Sequence, residues 1–462
     1  MSERYHFIGI GGIGMGALAS LLLAKGQQVS GSDLKENELT KKLKETGARV
    51  HIGHDARNID GATCIVLSSA IAKDNPEVVA AQKAGIRFIH RAQLLASLMN
   101  EHQGITVAGA HGKTTTTSMI AHVLMSAQLH PTIAVGGIVM GIKSNARLGA
   151  GKYFVAEVDE SDRSFLHFNP KYSVITNIDF EHVDQYKDLE EIIEVYAQFI
   201  RCTQQDGLIF ACGEDPNLLR ILKREKKAFK TYGFSGQFDI HATNVRYNRF
   251  SSTFDCHLDG KNIGQISLEV PGKHNVLNCL AAIGVARTLG IDWNTIASAM
   301  NSFRGVKRRF QQKTDQNNIL VIDDYAHHPT EIAATLAAAA DLDRSRILVA
   351  FQPHRYSRLR ALYDDFAKSL SGMDYVIITD VYAASEAPIE GVNALKLVEK
   401  IQKLTAKPVI YLRKDAITEH LLKIAQPGDV ILTLGAGDIT HVSDHLAEGI
   451  GRLVFAKAEK AV

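Results

Sequence analysis

Lys113 and Thr114 stand directly behind a glycine in TVAGAHGKTTTTSM, residues 106–119. A lysine and a hydroxyl at that position can hold phosphate and a cation. The common phosphate loop reads G-x-x-x-x-G-K-[ST]. Here Gly109 and Gly112 give the shorter spacing G-x-x-G-K-T. A strand pattern precedes the loop and a helix pattern follows it. The glycines permit a tight turn, and a helix N-terminus offers free N–H groups and a positive dipole end to phosphate oxygens. Gly109, Ala110, His111, Gly112, Lys113, Thr114 and Thr115 are therefore candidate ATP contacts. Lys113 supplies a point charge for the β- and γ-phosphates, and the Thr114 hydroxyl is placed for Mg²⁺. His111 could touch a phosphate, although a loop histidine without a partner is more often structural or solvated.

Two acidic runs follow later strand patterns. VAEVDESD contains Glu157, Asp159, Glu160 and Asp162; ITNIDFEHVD contains Asp179, Glu181, His182 and Asp184. A solitary acidic run reads as a solvated loop. Two of them behind strands, in a unit that also holds a phosphate loop, point to hard cations around a nucleotide. Glu157 and His182 are the expected ligands of a second metal, and a histidine beside carboxylates also suits Mn²⁺. GKHNVLN carries Asn275 and Asn278, whose carboxamides can meet an adenine edge or cap a helix. In GVKRRFQ, Arg309 can reach a γ-phosphate or belong to a basic linker.

DDYAHHPTEI and FQPHRYSRLR each follow a strand pattern. Asp324, Tyr325 and His327 lie at the first strand end, and Arg355 and Arg358 at the second. Two arginines three apart share a helix face, and guanidinium forks suit carboxylates. The pattern suits a pocket for a small anionic amino acid, or else a basic helix start on the surface beside a satisfied histidine pair. At the front of the chain, FIGIGGIGMGAL places Gly9, Gly11 and Gly14 between strand and helix, with Asp33 ending the next strand. That fingerprint reports a diphosphate on a helix N-terminus with a sugar nearby. NAD satisfies it, and so does a UDP-sugar.

The elements that position these groups alternate between strand-like apolar runs and helical stretches, which predicts α/β layers with mostly parallel sheets. The 462 residues exceed one ordinary core. A polar break, NEHQ, and the KRR segment divide them into units 1–101, 102–310 and 311–462. The outer two are expected to be Rossmann-like doubly wound sheets, the middle one a phosphate-loop ATPase-like α/β unit. A net charge of +2 raises no field that argues for nucleic acid or an anionic surface. No apolar run approaches the length of a membrane span, and MSERYHF lacks the layout of a signal peptide. Five scattered cysteines with no C-x-x-C spacing suggest reduced thiols in a cytoplasm, without a cysteine zinc site or a disulfide frame.

Taken in order, GAHGKTTTT, EVDESDRSFL, TNIDFEHVD, GKHNVLN, KRRFQ, DDYAHHPTEI and FQPHRYSR resemble the Mur ligases of peptidoglycan synthesis, specifically the alanine-adding branch. The resemblance runs from GIGGIGMG to TLGAGDI. It implies three domains, for the UDP part of a sugar nucleotide, for ATP, and for the amino acid. It implies a cytoplasmic ligase using ATP, UDP-N-acetylmuramate and L-alanine, with two Mg²⁺ ions. On this reading the N-terminal glycines serve UDP, with Gly11, Gly12, Ile13, Gly14, Asp33 and Ser69 as contacts. Lys113, Glu157, His182 and His327 would carry the chemistry; Thr114, Glu157 and His182 would hold metal. Asn275 and Asn278 would face adenine, Asp324 the ATP ribose, and Arg309 a phosphate. Tyr325, His327, Arg355 and Arg358 would surround L-alanine, His327 either accepting the amine proton or orienting the substrate. Several relatives carry a carbamoylated lysine after the metal histidine. EVYAQFIR, residues 194–201, has no lysine, so that modification is not expected.

Overall fold

The computed structural model describes residues 3–182, 185–384 and 386–453. Asp184 and the C-terminal end at 454–462 lie outside them. Three sheets follow one another along the chain.

The first has five parallel strands in the order Arg49–Ile52, Gln28–Asp33, Arg4–Ile8, Cys64–Leu67, Arg87–His90. That is the Rossmann order, with its switch point beside the strand that feeds the glycine loop. The helix Ile13–Ala24 begins inside the loop, and its first turn has no side-chain cap. Its end therefore keeps free N–H groups.

The second sheet has ten strands. Seven run parallel, with the strand Gln103–Ala108 between Tyr172–Ile175 and Tyr153–Glu157. The antiparallel strands Ser251–Leu258 and Lys261–Leu268 extend it at one edge, and Ser144–Arg147 at the other. The helix Lys113–Ser126 lies against this sheet and packs on the helix Lys273–Thr288. Both are buried over most of their circumference, as helices packed between layers are. The threonine run fits that burial. Thr114, Thr116, Thr117 and Ser118 are all buried. Thr117 and Ser118 donate to the carbonyls four residues back at 2.8 and 2.7 Å. Their hydroxyls are thereby satisfied without water.

The third sheet has the antiparallel edge strand Gln311–Gln316 and then Ile319–Asp324, Asp429–Leu434, Arg346–Phe351, Tyr375–Ile378 and Val409–Tyr411, all parallel. Apolar clusters cover both of its faces. The cores of the first two sheets merge into one continuous cluster from Phe7 to Val306. Among the described residues no helix is long and apolar enough to cross a membrane.

Candidate active site

The central strand Gln103–Ala108 ends in the phosphate loop. Gly109 has φ +137° and Gly112 φ +80°. A Cβ on Gly109 would stand 1.9 Å from Thr176 Oγ1, and one on Gly112 would stand 2.6 Å from Asn278 Oδ1. Both positions therefore require glycine by conformation and by space. The short spacing thus builds a complete loop, closed over by the neighbouring strand end.

Lys113 Nζ donates to Glu160 Oε1 and Oε2 at 2.9 and 2.8 Å, and to the carbonyls of Gly109 and Ala110. Burial opposes its charge, but Glu160 and Asp159 outweigh burial and raise its pKa. The lysine is a fixed cation beneath the loop. Thr114 Oγ1 donates to Glu157 Oε1 at 3.1 Å, and the Gly136 N–H donates to Glu157 Oε2 at 2.8 Å. His182, at φ +54°, sets Nε2 3.0 Å from Glu160 Oε1. Asp159, Glu160 and His182 each bring a ligand atom within 4.8 Å of the others. Carboxylate, hydroxyl and imidazole donors of this kind accept a hard divalent cation.

Lys113, Thr114, Glu157, Asp159 and His182 share one cleft of about 620 Å³. Gly12, Ile13 and Gly14 of the first glycine loop line it, with Lys113, Thr114, Glu157 and His182 of the middle unit and Tyr325 and His327 of the third. Arg91 of the first unit reaches Asp159 at 3.1 Å, and the Asn145 amide donates to the Ile13 carbonyl at 2.6 Å. A second cavity, about 350 Å³ and mostly apolar, lies on the other side of the phosphate loop. Asn275, Asn278, Arg309 and Asp324 line it together with Tyr232, His274 and Phe310. It suits a flat heterocycle and a sugar.

Several expected residues are already engaged by bonds within the protein. Asp33 accepts the Gly11 N–H at 2.8 Å and so fastens the glycine loop. Ser69 is bonded to Asp162 and to His90, while its neighbour Ser68 lines the cleft. Asn275 donates to the Pro271 carbonyl, and Asn278 takes a bond from Thr116 and gives one to Asn275. Asp324 accepts the N–H groups of Phe310 and Ala326, both at 2.7 Å, and burial raises its pKa to about 6. Arg355 and Arg358 line a small crevice with Glu181, His182 and His328 beside the main cleft.

The third unit's ionic links are what the sequence did not single out. Glu331 faces His327 Nδ1 at 3.3 Å, Arg309 at 3.6 Å and His111 Nδ1 at 3.5 Å. His111 Nε2 lies 2.8 Å from Asp179, which also accepts from Thr330. Burial opposes a charge on His111, yet Asp179 and Glu331 push its pKa up to about 10. His327 is the opposite case. Burial dominates and lowers it to about 4, so the ring is neutral near pH 7. Its Nδ1 faces two acceptors, the Tyr325 carbonyl at 3.1 Å and Glu331. The neutral ring thus carries its proton on Nδ1 and keeps a lone pair on Nε2. The only sequence signal for Glu331 was its place three residues after a histidine N-cap.

Residues 4–103 match the description "Mur ligase family, catalytic domain", 107–286 "Mur ligase middle domain", and 308–437 "Mur ligase, glutamate ligase domain". The chain belongs to the Mur ligase family. As a Mur ligase it is an ATP-dependent enzyme acting on small molecules. It is 47% identical to the UDP-N-acetylmuramate–L-alanine ligase of Geotalea uraniireducens over 96% of this chain and 98% of that one. It is 48% identical to the protein of that name in Geobacter sp. strain M21, over 96% of each. Among solved structures it resembles the UDP-N-acetylmuramate–alanine ligase of Thermotoga maritima. That match has TM-score 0.83 and 32% identity, covering 96% and 98% of the two chains. A murein peptide ligase of Psychrobacter arcticus matches at TM-score 0.75 and 25% identity, over 98% of this chain and 100% of that one.

Proposed function

We propose that this Mur ligase joins L-alanine to the lactyl carboxylate of UDP-N-acetylmuramate, converting ATP to ADP and phosphate through an acyl phosphate. One observation carries the reading. The first glycine loop, the phosphate loop and the Tyr325–His327 strand end open on a single cleft. A sugar nucleotide, a γ-phosphate and an amine must meet in such a space for this chemistry. The names of the two relatives and of the Thermotoga maritima structure support the same substrates.

On this reading residues 1–101 seat the UDP-sugar, 102–310 ATP, and 311–462 the amino acid. Ile13 and Gly14, in the uncapped first turn, present N–H groups to the diphosphate, while Gly12 closes the loop by donating to the Gly9 carbonyl. The adenosine occupies the cavity bounded by Asn275, Asn278 and Asp324, with Arg309 toward the phosphates. Lys113 leaves Glu160 for the transferring phosphoryl group. Thr114, Glu157 and His182 are assigned to Mg²⁺, for which their oxygen-rich donor set is suited and which Mn²⁺ can replace. Bound there, the ions neutralise phosphate charge. The lactyl carboxylate attacks the γ-phosphorus, and the acyl phosphate forms as ADP leaves. The L-alanine amine then attacks the acyl carbon, and inorganic phosphate departs. His327 Nε2, held as a lone pair, takes the amine proton. Arg355, Arg358 and Tyr325 hold the amino acid's carboxylate at the cleft edge.

The experiment is phosphate release from ATP and UDP-N-acetylmuramate with single amino acids, and with the tripeptide used by recycling ligases. Release stimulated most by L-alanine bears the proposal out. Release driven by the tripeptide alone refutes it.

A further inference from the structure

Three side chains from separate parts of the chain converge where the phosphate loop meets the third unit. His111 belongs to the loop, Glu181 follows the strand Tyr172–Ile175, and His328 caps the helix Pro329–Ala340. One ligand atom of each lies within 4.8 Å of the others. Each side chain also has a buried atom without a hydrogen-bond partner among the described residues: His111 Nδ1, Glu181 Oε1 and His328 Nε2. Glu181 and His328 are only 7% and 5% exposed. Unpaired buried polar atoms are costly, and three in one place call for a partner they share.

The surroundings favour a cation. Asp179 Oδ2 lies 2.8 Å from His111 Nε2 and 3.6 Å from His328 Nδ1. Glu331 lies 3.5 Å from His111 Nδ1. Against these carboxylates stand Arg358, 3.9 Å from Glu181 Oε1, and Arg309 on the far side of Glu331.

We infer that His111, Glu181 and His328 form a site for a divalent transition-metal ion, with Zn²⁺ the best match. Two imidazoles and one carboxylate are a donor set for zinc and leave its fourth position open; magnesium prefers oxygen alone. Asp179 completes a carboxylate–histidine–metal arrangement on His111 Nε2–H. His328 Nδ1–H turns to Asp179 as Nε2 takes the ion, releasing its 3.4 Å capping bond from the Thr330 N–H. A ligating imidazole must be free of a proton at the nitrogen that binds the ion, so binding strengthens as pH rises. The site differs from the Thr114, Glu157 and His182 set and does not depend on the ligase reading. Its occupation ties the phosphate loop to the first turn of Pro329–Ala340, clamping the third unit on the second.

The test titrates Zn²⁺ alone into the metal-stripped full-length protein by calorimetry, and repeats it with Co²⁺ by visible absorption and paramagnetic NMR. One Zn²⁺ per chain is expected, with affinity kept in Glu157→Gln and Glu160→Gln. His328→Gln and Glu181→Gln should each weaken it at least tenfold. Absence of binding, or loss in Glu157→Gln and Glu160→Gln with retention in His328→Gln, overturns the inference. Should the His328 or Glu181 variants fail to fold, the wild-type Co²⁺ spectra decide. Four-coordinate absorption with shifted imidazole protons from two histidines supports the site; an octahedral spectrum, or a single coordinating histidine, removes it.

Discussion

Replacing Gly136 by alanine tests the metal role proposed for the Glu157 carboxylate without replacing that residue. Gly136 is exposed in the strand Thr132–Val139, and its backbone is not left-handed, so alanine brings no conformational strain. A Cβ there would stand 2.5 Å from Glu157 Oε2 and 2.7 Å from Oε1 and Cδ. Real Cβ contacts are essentially never under 3.0 Å, so the carboxylate must give way by at least 0.5 Å. Metal–ligand distances tolerate only about 0.2 Å. The shift also breaks or stretches the 2.8 Å bond from the Gly136 N–H. A hydrogen bond to a charged group contributes about 1.5–3 kcal/mol, which at ~1.4 kcal/mol per decade is roughly a 10- to 150-fold change. The clash falls on the flexible end of a half-buried side chain, so the fold loses less than about 1 kcal/mol. The assay is kcat/KM for ligation against Mg²⁺ concentration, beside denaturant unfolding. A fall of one to two orders of magnitude, partly recovered at high Mg²⁺, is expected. Wild-type kcat/KM with an unchanged Mg²⁺ dependence would refute the role given to Glu157.

Two further substitutions probe other parts of the site, and a third probes a buried network of the first unit. Lys113→Ala should abolish both ligation and ATP turnover while circular dichroism stays native. It strands the buried Glu160, so unfolding should come about 3 kcal/mol easier; normal product formation would remove the loop from ATP binding. Arg355→Ala should raise KM for L-alanine at least tenfold with little change in kcat; an unchanged KM would exclude it from that pocket. Glu77 is buried in the first unit, where bonds from Ser32, Asn58 and His6 outweigh burial and lower its pKa from 4.5 to about 2. A depressed carboxylate contributes stability that is full above pH 4.5 and lost as pH falls through 2, here about 2–3 kcal/mol. Glu77→Gln should lose that amount at pH 7 and flatten the stability profile between pH 4.5 and 2. A variant with the wild-type acid profile would count against the network.

The local chemistry was legible in sequence because it is set by neighbours in the chain. Strand, glycines and helix at 106–119 determine a tight strand–loop–helix turn of the kind that suits phosphate, and alternating strand and helix patterns determine parallel layers. The first glycine loop shows the limit of this. Its residues alone suit NAD or a UDP-sugar, and only the tertiary structure opens it on the same cleft as Lys113 and His327. The same holds for Asp33, whose spacing suggests a ribose contact and whose Oδ2 the fold also uses to hold the Gly11 N–H. The acidic runs drew attention to Glu160 and Asp179 but not to their partners, and Glu331 went unnoticed, because the pairs Lys113–Glu160, His111–Asp179 and His111–Glu331 join residues 47 to more than 200 apart. Protonation was equally out of reach. His111 and His327 begin as the same side chain, yet one is driven up to about 10 by two carboxylates and the other down to about 4 by burial. Residue order determined which groups are available; burial and long-range pairing decided their charge, their neighbours and the cleft in which they meet.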